Sequence, residues 1–380
     1  MINPDRLRDT FLDLVKIDSH SREELGVAHY VLSRLQKLGV DAVMDDAGEK
    51  INGDCGNLLA RFQGPLAGKV EPILFCAHLD TVVPGKGVQP IIQDGVIRSS
   101  GDTILGADDK SGVAAMLELV QVLEENSLPY GEIELLFTVA EEIGLMGAKH
   151  FDTARLHSKQ AYFLDTENVF NICIGAPSAY RMTYRVYGQG AHAGLAPEKG
   201  LSAILVASRA IQTMPLGRID SETTANIGLI VGGSATNIVP KLVTMNGEAR
   251  SHDQTKLEAQ VAKMKQALDQ AAKSYQVLVD GKILQARIEE DRSLEYKAFR
   301  VPESSRTYQL AARAGAELGL KMEPEISGGG SDANVFNEKG IESVVIGTGM
   351  QEPHTVQEYI KIEDLVNCAG LILNIVAQNR

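Results

Sequence analysis

Short apolar runs alternate with helical segments along this chain, and this alternation constrains the fold more than any other feature. Four runs have the length and composition of buried strands, and helical periodicity marks residues 110–125 between the second and the third. Neither a buried strand nor an amphipathic helix can bury its apolar side alone. The pattern therefore predicts an α/β fold with a sheet flanked by helices on both faces. The four runs are 57–62, 72–77, 133–140 and 161–164.

The pattern changes after Pro177, where alternating and helical segments form what we expect to be a separate α+β unit. The helix and strand rhythm returns near residue 303 and continues to a terminal helix at 362–377. The simplest topology inserts a smaller domain, residues 178–293, into a larger one formed by residues 1–177 and 294–380. The segments of the inserted unit are strands at 180–187, 224–231 and 242–249 and helices at 201–213 and 253–275.

Composition excludes several classes of protein. The 380 residues are 44% hydrophobic and 23% charged, as in ordinary globular chains. A net charge of −13 would repel a phosphate backbone, so we expect no nucleic-acid partner. No apolar run approaches the ~18 residues of a membrane span, so no membrane partner is expected either. The charged start of the chain and four widely spaced cysteines without a C-x-x-C pair predict reduced thiols and a cytoplasmic location.

Two segments place acids and a histidine next to predicted elements. His78 and Asp80 are two residues apart at the end of an apolar strand, where the pleat points both side chains to one side. A carboxylate beside a metal-binding imidazole can orient it, although H-x-D is also common by chance. Asp108 and Asp109 begin a helix, where an aspartate can bind metal or simply cap the helix.

Three further segments carry candidate ligands. Glu141 and Glu142 directly follow an apolar run, and consecutive side chains can take separate roles, one on a metal and one on water. Asp165 ends another buried strand, and His354 lies beyond a third. Each could alone be a surface residue. Together they recur at strand ends, where open α/β sheets assemble their sites, and they match the ligands of a two-zinc hydrolase.

Five strings in order resemble the signature of the dinuclear zinc metallopeptidases, which include peptidase T, carboxypeptidase G, aminoacylase and succinyl-diaminopimelate desuccinylase. The resemblance spans about residues 5–375 and is closest to the peptidase T branch, because of LGADDK and the aspartate in FLDTEN. It implies a zinc-exopeptidase catalytic domain with a mixed central sheet flanked by helices, and an inserted α+β lid and dimerisation domain. The strings are AHLDTVVPG, DGVIRSSGDTILGADDKSG, VAEEIGLMGA, FLDTEN and EPHTVQEYI.

The resemblance also implies a role for each site residue. His78 and Asp165 would hold one zinc, Glu142 and His354 the other, and Asp108 would bridge the two. Cobalt or manganese could substitute. In addition, Asp80 would orient His78, Glu141 would be the general base, and Asp109 would support the site or start the helix.

The resemblance of the inserted domain to the family's lid domain implies further residues that contact substrate. His192 matches a histidine that stabilises the developing oxyanion, in the family often from the partner subunit of a homodimer. Asn237 and Arg250 match substrate-binding positions, although Arg250 could instead form a structural ion pair. The glycine-rich loop at 327–332, with Gly329 and Ser331, resembles a pocket loop and could also be a flexible turn.

The predicted function is removal of N-terminal residues from short peptides, tripeptides among them. Two departures from peptidase T affect substrate contacts: Gly328 stands where an arginine is usual, and Ala193 where a proline is usual. An N-acyl amino acid amidohydrolase or a carboxypeptidase of the same superfamily is therefore an alternative. A non-catalytic binding protein of the same fold is a remote one.

Overall fold

The computed structural model describes residues 1–380, and the chain divides into two compact units. The first contains Met1–Gly175, Arg300–Ser327 and Ser331–Arg380. The second contains Ala176–Phe299 together with Gly328–Gly330. The domain boundaries predicted at 177 and 293, and the role of the insertion as a lid, stay predictions.

The chain forms ten α-helices, two short 3-10 helices (Thr153–Arg155 and Pro197–Lys199) and twenty strands. The helices are α1 (Pro4–Val15), α2 (Leu25–Lys37), α3 (Ala47–Ile51), α4 (Ala107–Asn126), α5 (Met146–His150), α6 (Ala203–Thr213), α7 (Gln254–Ser274), α8 (Arg306–Glu317), α9 (Asp332–Glu338) and α10 (Ile362–Gln378). The strands are β1 (Ala42–Met44), β2 (Leu58–Gln63), β3 (Ile73–His78), β4 (Pro90–Gln93), β5 (Val96–Ser99), β6 (Glu132–Thr138), β7 (Gln160–Thr166), β8 (Asn171–Ala176), β9 (Ser178–Tyr187), β10 (Gly217–Arg218), β11 (Thr223–Gly232), β12 (Leu242–Ser251), β13 (Gln276–Val279), β14 (Lys282–Gln285), β15 (Arg287–Tyr296), β16 (Phe299–Arg300), β17 (Glu323–Ile326), β18 (Glu342–Gly347), β19 (Met350–Gln351) and β20 (Tyr359–Lys361).

A nine-stranded mixed sheet forms the centre of the first unit. Its order is β1-β2-β6-β3-β7-β18-β8-β16, with β17 paired to β8. The middle strands β6, β3, β7 and β18 are parallel. The pairs β1–β2, β2–β6 and β8–β18 are antiparallel, and β17 runs parallel to β8. The predicted α/β fold with a mixed central sheet is confirmed.

Every residue of β3 and β6 is buried, as expected for strands whose sheet is covered by helices on both faces. One group of helices, α1, α4, α8 and α10, packs together and contacts β3, β7 and β18. A second group, α3, α5 and α9, contacts β18 through α9. Helix α4 is buried along most of its length, which places its first residues in the interior.

The first helix shows how the sequence specifies these elements. Asn3 caps α1 by accepting a hydrogen bond from the amide of Arg6, and Pro4 occupies the first position, where its missing amide hydrogen costs nothing. Its buried residues recur at helical spacing, on one face. They are Leu7, Thr10, Phe11, Leu14 and Val15.

The second unit is an antiparallel sheet covered by two helices. The strand order is β10-β11-β12-β9-β15. Helices α6 and α7 pack on each other and on β9 and β12. Alternate residues along β12 are buried, and they join α6 and α7 in one apolar core. A separate hairpin, β13 and β14, follows α7.

None of the helices combines the length and apolar character that crossing a bilayer requires.

Candidate active site

The carboxyl ends of three parallel strands bring candidate ligands to one edge of the central sheet. His78 is the last residue of β3, and Asp165 is the next to last of β7. Glu141 and Glu142 follow β6, which ends at Thr138. Since β6, β3 and β7 run in the same direction, their ends lie side by side.

Five predicted metal ligands converge in two groups that share Asp108. One group contains His78, Asp108 and Asp165, the other Asp108, Glu142 and His354, and within each group the ligand atoms lie within 4.8 Å of one another. Asp108 Oδ1 is 3.0 Å from His78 Nε2, and Asp108 Oδ2 is 3.2 Å from His354 Nε2. One carboxylate thus reaches both groups, as a bridging ligand must.

The remaining distances fit a pair of metal sites. His354 Nε2 is 3.0 Å from Glu142 Oε1, and His78 Nε2 is 3.8 Å from Asp165 Oδ1. Ligand atoms about 2.1 Å from a tetrahedral metal ion are about 3.4 Å apart. The four nitrogen to oxygen distances, from 3.0 to 3.8 Å, lie around that value.

The charges of the site also favour bound cations. Burial, together with the nearby charge of Asp108, raises the pKa of Asp165 well above its usual range. Burial likewise raises the pKa of Glu142, against the opposing effect of its bond to His354. The two imidazoles therefore supply too little positive charge for these carboxylates. Divalent cations would supply the rest, and imidazole and carboxylate ligands suit such ions.

The opposite charges of the two histidines and of Asp108 stabilise one another. Burial opposes the charge on His78, but its bonds to Asp108 and Asp80 outweigh burial and raise its pKa. Bonds to Asp108 and Glu142 raise the pKa of His354 to about 10. Burial opposes the charge on Asp108, yet the two histidines lower the pKa of this carboxyl.

Glu141 is next to Glu142 in the chain but belongs to neither group of ligands. It is 9% exposed, and burial followed by the charge of Asp165 raises its pKa well above the usual range. A carboxylate with a raised pKa in such a place is suited to accept and release a proton near neutral pH.

Asp80 is fully buried and anchors the loop that carries both glutamates. Its Oδ1 accepts a hydrogen bond from the amide of Glu141 at 2.9 Å, and its Oδ2 accepts one from the amide of Glu142 at 3.1 Å. Ser21 Oγ donates a third at 2.6 Å. His78 Nδ1 lies 2.9 Å from the carbonyl oxygen of Asp80 and 3.4 Å from its carboxylate, so both groups orient the imidazole.

The start of α4 separates the roles of its two aspartates. Gly106 occupies the N-cap position, and Asp108 and Asp109 both have backbone angles outside the helical region. Asp108 therefore points to the histidines and does not cap the helix. Asp109 accepts hydrogen bonds from the amide of His78 at 3.1 Å and from the amide of Gly112 at 3.2 Å, so it supports both the strand end and the helix start.

The model of peptidase family M20/M25/M40 matches residues 74–378, well over half of the chain. The chain belongs to this family. The crystal structure of aminopeptidase PepT from Bacillus cereus ATCC 10987 is 42% identical with a TM-score of 0.87, over 99% of both chains. The structure of a tripeptidase from Staphylococcus aureus subsp. aureus Mu50 is 38% identical with a TM-score of 0.91, over 99% of this chain and 98% of the other. Protein YqjE of Bacillus subtilis strain 168 is 41% identical over 100% of this chain and 99% of its own.

Membership of the M20 family confirms three predictions: the resemblance itself, the α/β fold and a peptidase activity class. The peptidase T branch of that resemblance is confirmed as well, since solved structures of an aminopeptidase PepT and of a tripeptidase match almost the whole chain. The roles of individual site residues stay predictions.

Two of the predicted substrate residues lie on neighbouring loops of the second unit. His192 is exposed, and its Nδ1 accepts hydrogen bonds from the amides of Gly194 and Leu195 at 3.2 and 3.1 Å. Because Nδ1 is an acceptor, the neutral ring carries its proton on Nε2. The carbonyl oxygen of Asn237 accepts a hydrogen bond from the amide of Ala193 at 2.9 Å, which ties the two loops together.

The other predicted substrate residues have partners of their own. Arg250 donates to Glu248 at 3.0 Å, the structural ion pair considered from the sequence, while its Nε is buried without a partner. Gly329 belongs to the second unit and Ser331 to the first. Ser331 is 8% exposed and caps α9 by accepting a hydrogen bond from the amide of Ala333 at 3.3 Å.

Sequence reasoning missed two buried acids that hold the ligand loops. Glu24 is fully buried and accepts a hydrogen bond at 2.9 Å from the amide of Ala140, just before Glu141. Glu358 is 1% exposed and accepts hydrogen bonds from the loop that contains Asp108. Glu358 lies within the string EPHTVQEYI, so a search for further acids near His354 could have found it. No local pattern indicates the role of Glu24.

Proposed function

We propose that this chain is a two-metal aminopeptidase that releases N-terminal residues from short peptides, with tripeptides as the preferred class. The observation that carries the proposal is the convergence of five metal-binding side chains around Asp108, beside Glu141. The similarity to an aminopeptidase PepT and to a tripeptidase over nearly the whole chain supports the choice of substrate.

Zinc is the metal that we propose, because two imidazoles and three carboxylates form its usual nitrogen and oxygen ligand set. His78 and Asp165 would hold one ion, Glu142 and His354 the second, and Asp108 both. Cobalt or manganese could replace zinc at such ligands. A pair of bound cations supplies Lewis acidity, which polarises the scissile carbonyl and makes water more acidic.

Glu141 is the proposed general base and acid. Its carboxylate takes a proton from the attacking water, and the same carboxyl then gives a proton to the leaving amine. Burial and the charge of Asp165 raise its pKa, which favours holding that proton between the two steps. Asp80 keeps Glu141 in position through the backbone bond at 2.9 Å.

We propose that His192 stabilises the negative charge that develops on the carbonyl oxygen. Its Nδ1 is occupied by two backbone amides, so the neutral ring has a proton on Nε2 to donate. A donor of this kind is suited to an oxyanion. Asn237, Arg250, Gly329 and Ser331 are the proposed contacts to the rest of the peptide.

A homodimer through the second unit is also part of the proposal. Strand β10 pairs with β11 only at residues 217–218, so the far half of β11 has an open edge. Leu229 and Val231 on that half are 62% and 72% exposed. An open edge with apolar side chains is a common site of association. We further propose a cytoplasmic location, on the basis of four buried and unpaired cysteines.

A substrate panel tests the proposed specificity. The purified protein, reconstituted with zinc and separately with cobalt, is assayed on tripeptides, dipeptides, N-acetyl amino acids and peptides blocked at either end. We expect tripeptides with a free amino terminus to be cleaved at least tenfold faster than the other classes. Faster release of C-terminal residues or faster hydrolysis of N-acetyl amino acids would refute the aminopeptidase assignment.

The substitution Glu141→Gln tests the proposed chemistry. The amide keeps the size of the side chain but cannot accept the proton of water, so we expect a loss of kcat of at least about 10³-fold. Metal content should stay at two ions per chain, because Glu141 belongs to neither ligand group. Full turnover by this variant would refute the assignment of the base.

A further inference from the structure

We propose that Glu358 is a positioning residue for the metal centre, because its carboxylate joins the start of α4, which contains Asp108, to the loop that contains His354. The inference rests on the proposed function, since it assigns a support to the same two-metal site. Its test is chosen so that either claim can fail separately.

Both oxygens of Glu358 accept hydrogen bonds from the backbone at the start of α4. Oε2 accepts from the amide of Gly106 at 2.7 Å, and Oε1 accepts from the amide of Asp108 at 3.0 Å. The side chain is 1% exposed, so water does not compete for these donors. The carboxylate is thus fully engaged with two amides that are one residue apart.

These two amides have no acceptor within the helix. The first amides of any α-helix lack intrahelical partners, and a side chain at the N-cap position usually accepts from one of them. The N-cap residue of α4 is Gly106, which has no side chain, and its φ is +76°. Asp108 and Asp109 depart from helical backbone angles, so these two amides lie in an irregular segment before the regular turns, which Asp109 caps through the amide of Gly112. Glu358, from a segment 250 residues further along the chain, supplies the acceptor for the two amides of that segment.

The bond to the amide of Asp108 fixes the point from which the shared carboxylate extends. Asp108 reaches both His78 and His354, at 3.0 and 3.2 Å, so a shift of its backbone would change both metal sites together. Glu358 is four residues after His354, and its own amide donates to the carbonyl oxygen of Thr355 at 3.1 Å. It therefore holds Asp108 and His354 in a fixed relation.

The substitution Glu358→Gln tests this role, because an amide offers one acceptor oxygen where the carboxylate offers two. The amide nitrogen would face a backbone amide, so the bond to either Gly106 or Asp108 is lost. We expect the dissociation constants of both ions to rise together, by about 10- to 100-fold. With saturating zinc, kcat should fall while KM changes little, because Glu358 is proposed to support the metal centre and not to contact peptide.

Glu134→Gln is the matched control. Glu134 is also fully buried, and its two oxygens likewise accept from backbone amides, those of His157 and Ser158, at 3.2 and 2.8 Å. It also accepts from Arg61, and neither Glu134 nor these partners belong to the two ligand groups around Asp108. We expect Glu134→Gln to lower the free energy of unfolding, with metal dissociation constants within about twofold of wild type.

The measurement is zinc affinity of the metal-free proteins, followed by competition with a chromogenic chelator, together with their thermal unfolding without metal. Glu358→Asp, which keeps two acceptor oxygens on a shorter side chain, should lie between wild type and Glu358→Gln. It also serves as the test if the glutamine variant does not fold. Two ions in wild type with unaltered affinity in the folded Glu358 variants would overturn this inference alone. Fewer than two ions in wild type would overturn the proposed function as well.

Discussion

Replacing Asp80 by asparagine should displace the loop that carries Glu141 and Glu142, even though the new side chain has the same size. The carboxylate accepts from two backbone amides and from Ser21 Oγ, at 2.9, 3.1 and 2.6 Å. An asparagine has one acceptor oxygen, so its NH₂ group must face either the amide of Glu141 or the amide of Glu142 together with the Ser21 hydroxyl.

The cost follows from these contacts. Asp80 is fully buried, and a buried donor left without an acceptor costs about 1–3 kcal/mol. Loss of charge on the acceptor also weakens the bond that remains, since bonds to charged groups contribute about 1.5–3 kcal/mol. We therefore expect Asp80→Asn to lower the free energy of unfolding by about 2–4 kcal/mol. Ser21→Ala removes one hydroxyl donor and should cost about 1 kcal/mol.

Urea unfolding of the chelator-treated proteins measures this cost without a contribution from bound metal. The same variants, loaded with zinc, give kcat. We expect kcat of Asp80→Asn to fall by more than about tenfold, and by more than that of Ser21→Ala, because Glu141 loses its anchor. Unfolding within about 0.5 kcal/mol of wild type, with kcat retained, would refute the argument that Asp80 holds this loop.

Three further predictions concern stability and assembly. Burial opposes the charge on Glu134, but the bonds from Ser158 and Arg61 outweigh burial and lower the pKa of this carboxyl. The contribution of Glu134 to the free energy of unfolding is therefore present above its ordinary pKa of 4.5 and is lost as the pH falls below that value. The difference in unfolding free energy between wild type and Glu134→Gln should therefore shrink from about pH 7 to about pH 3, and a constant difference would contradict this. A Cβ at Gly112 would lie 2.5 Å from Asp109 Oδ1 and 2.8 Å from the carbonyl oxygen of Leu164. Gly112→Ala should therefore lower the free energy of unfolding by about 1–3 kcal/mol. An unaltered melting temperature would show that the helix can shift at no cost. Val231→Asp places a charge on the open edge of β11 and should convert the dimer to monomers in light scattering, whereas a wild-type monomer would disprove the proposed assembly.

The sequence predicted the long and strongly patterned elements of the fold. The helix expected at 253–275 is Gln254–Ser274, and the strand expected at 72–77 is Ile73–His78. Their apolar residues repeat with a clear period because each packs against a single core. Some of the strands that were missed are short and largely exposed, such as Pro90–Gln93 and Lys282–Gln285. The buried strand Asn171–Ala176 and the ten-residue strand Arg287–Tyr296 were missed as well. The pairing of such strands is decided by neighbours that the local sequence does not reveal.

The site was predictable to the extent that its residues form motifs. All five ligands stand in short strings whose order resembles a known family, and the structure brings them together. The acids that hold the loops were not predictable in the same way. Glu358 contacts Gly106 and Asp108 across about 250 residues, and a side chain that accepts from backbone amides imposes no local pattern on the residues that it supports.

The most direct test of the two-metal centre is a crystal structure of the zinc-loaded protein with anomalous data collected at the zinc edge. We expect two peaks about 3.5–4 Å apart, one on each side of the Asp108 carboxylate, with His78 and Asp165 at one and Glu142 and His354 at the other. A single peak, or zinc bound away from Asp108, would contradict the account.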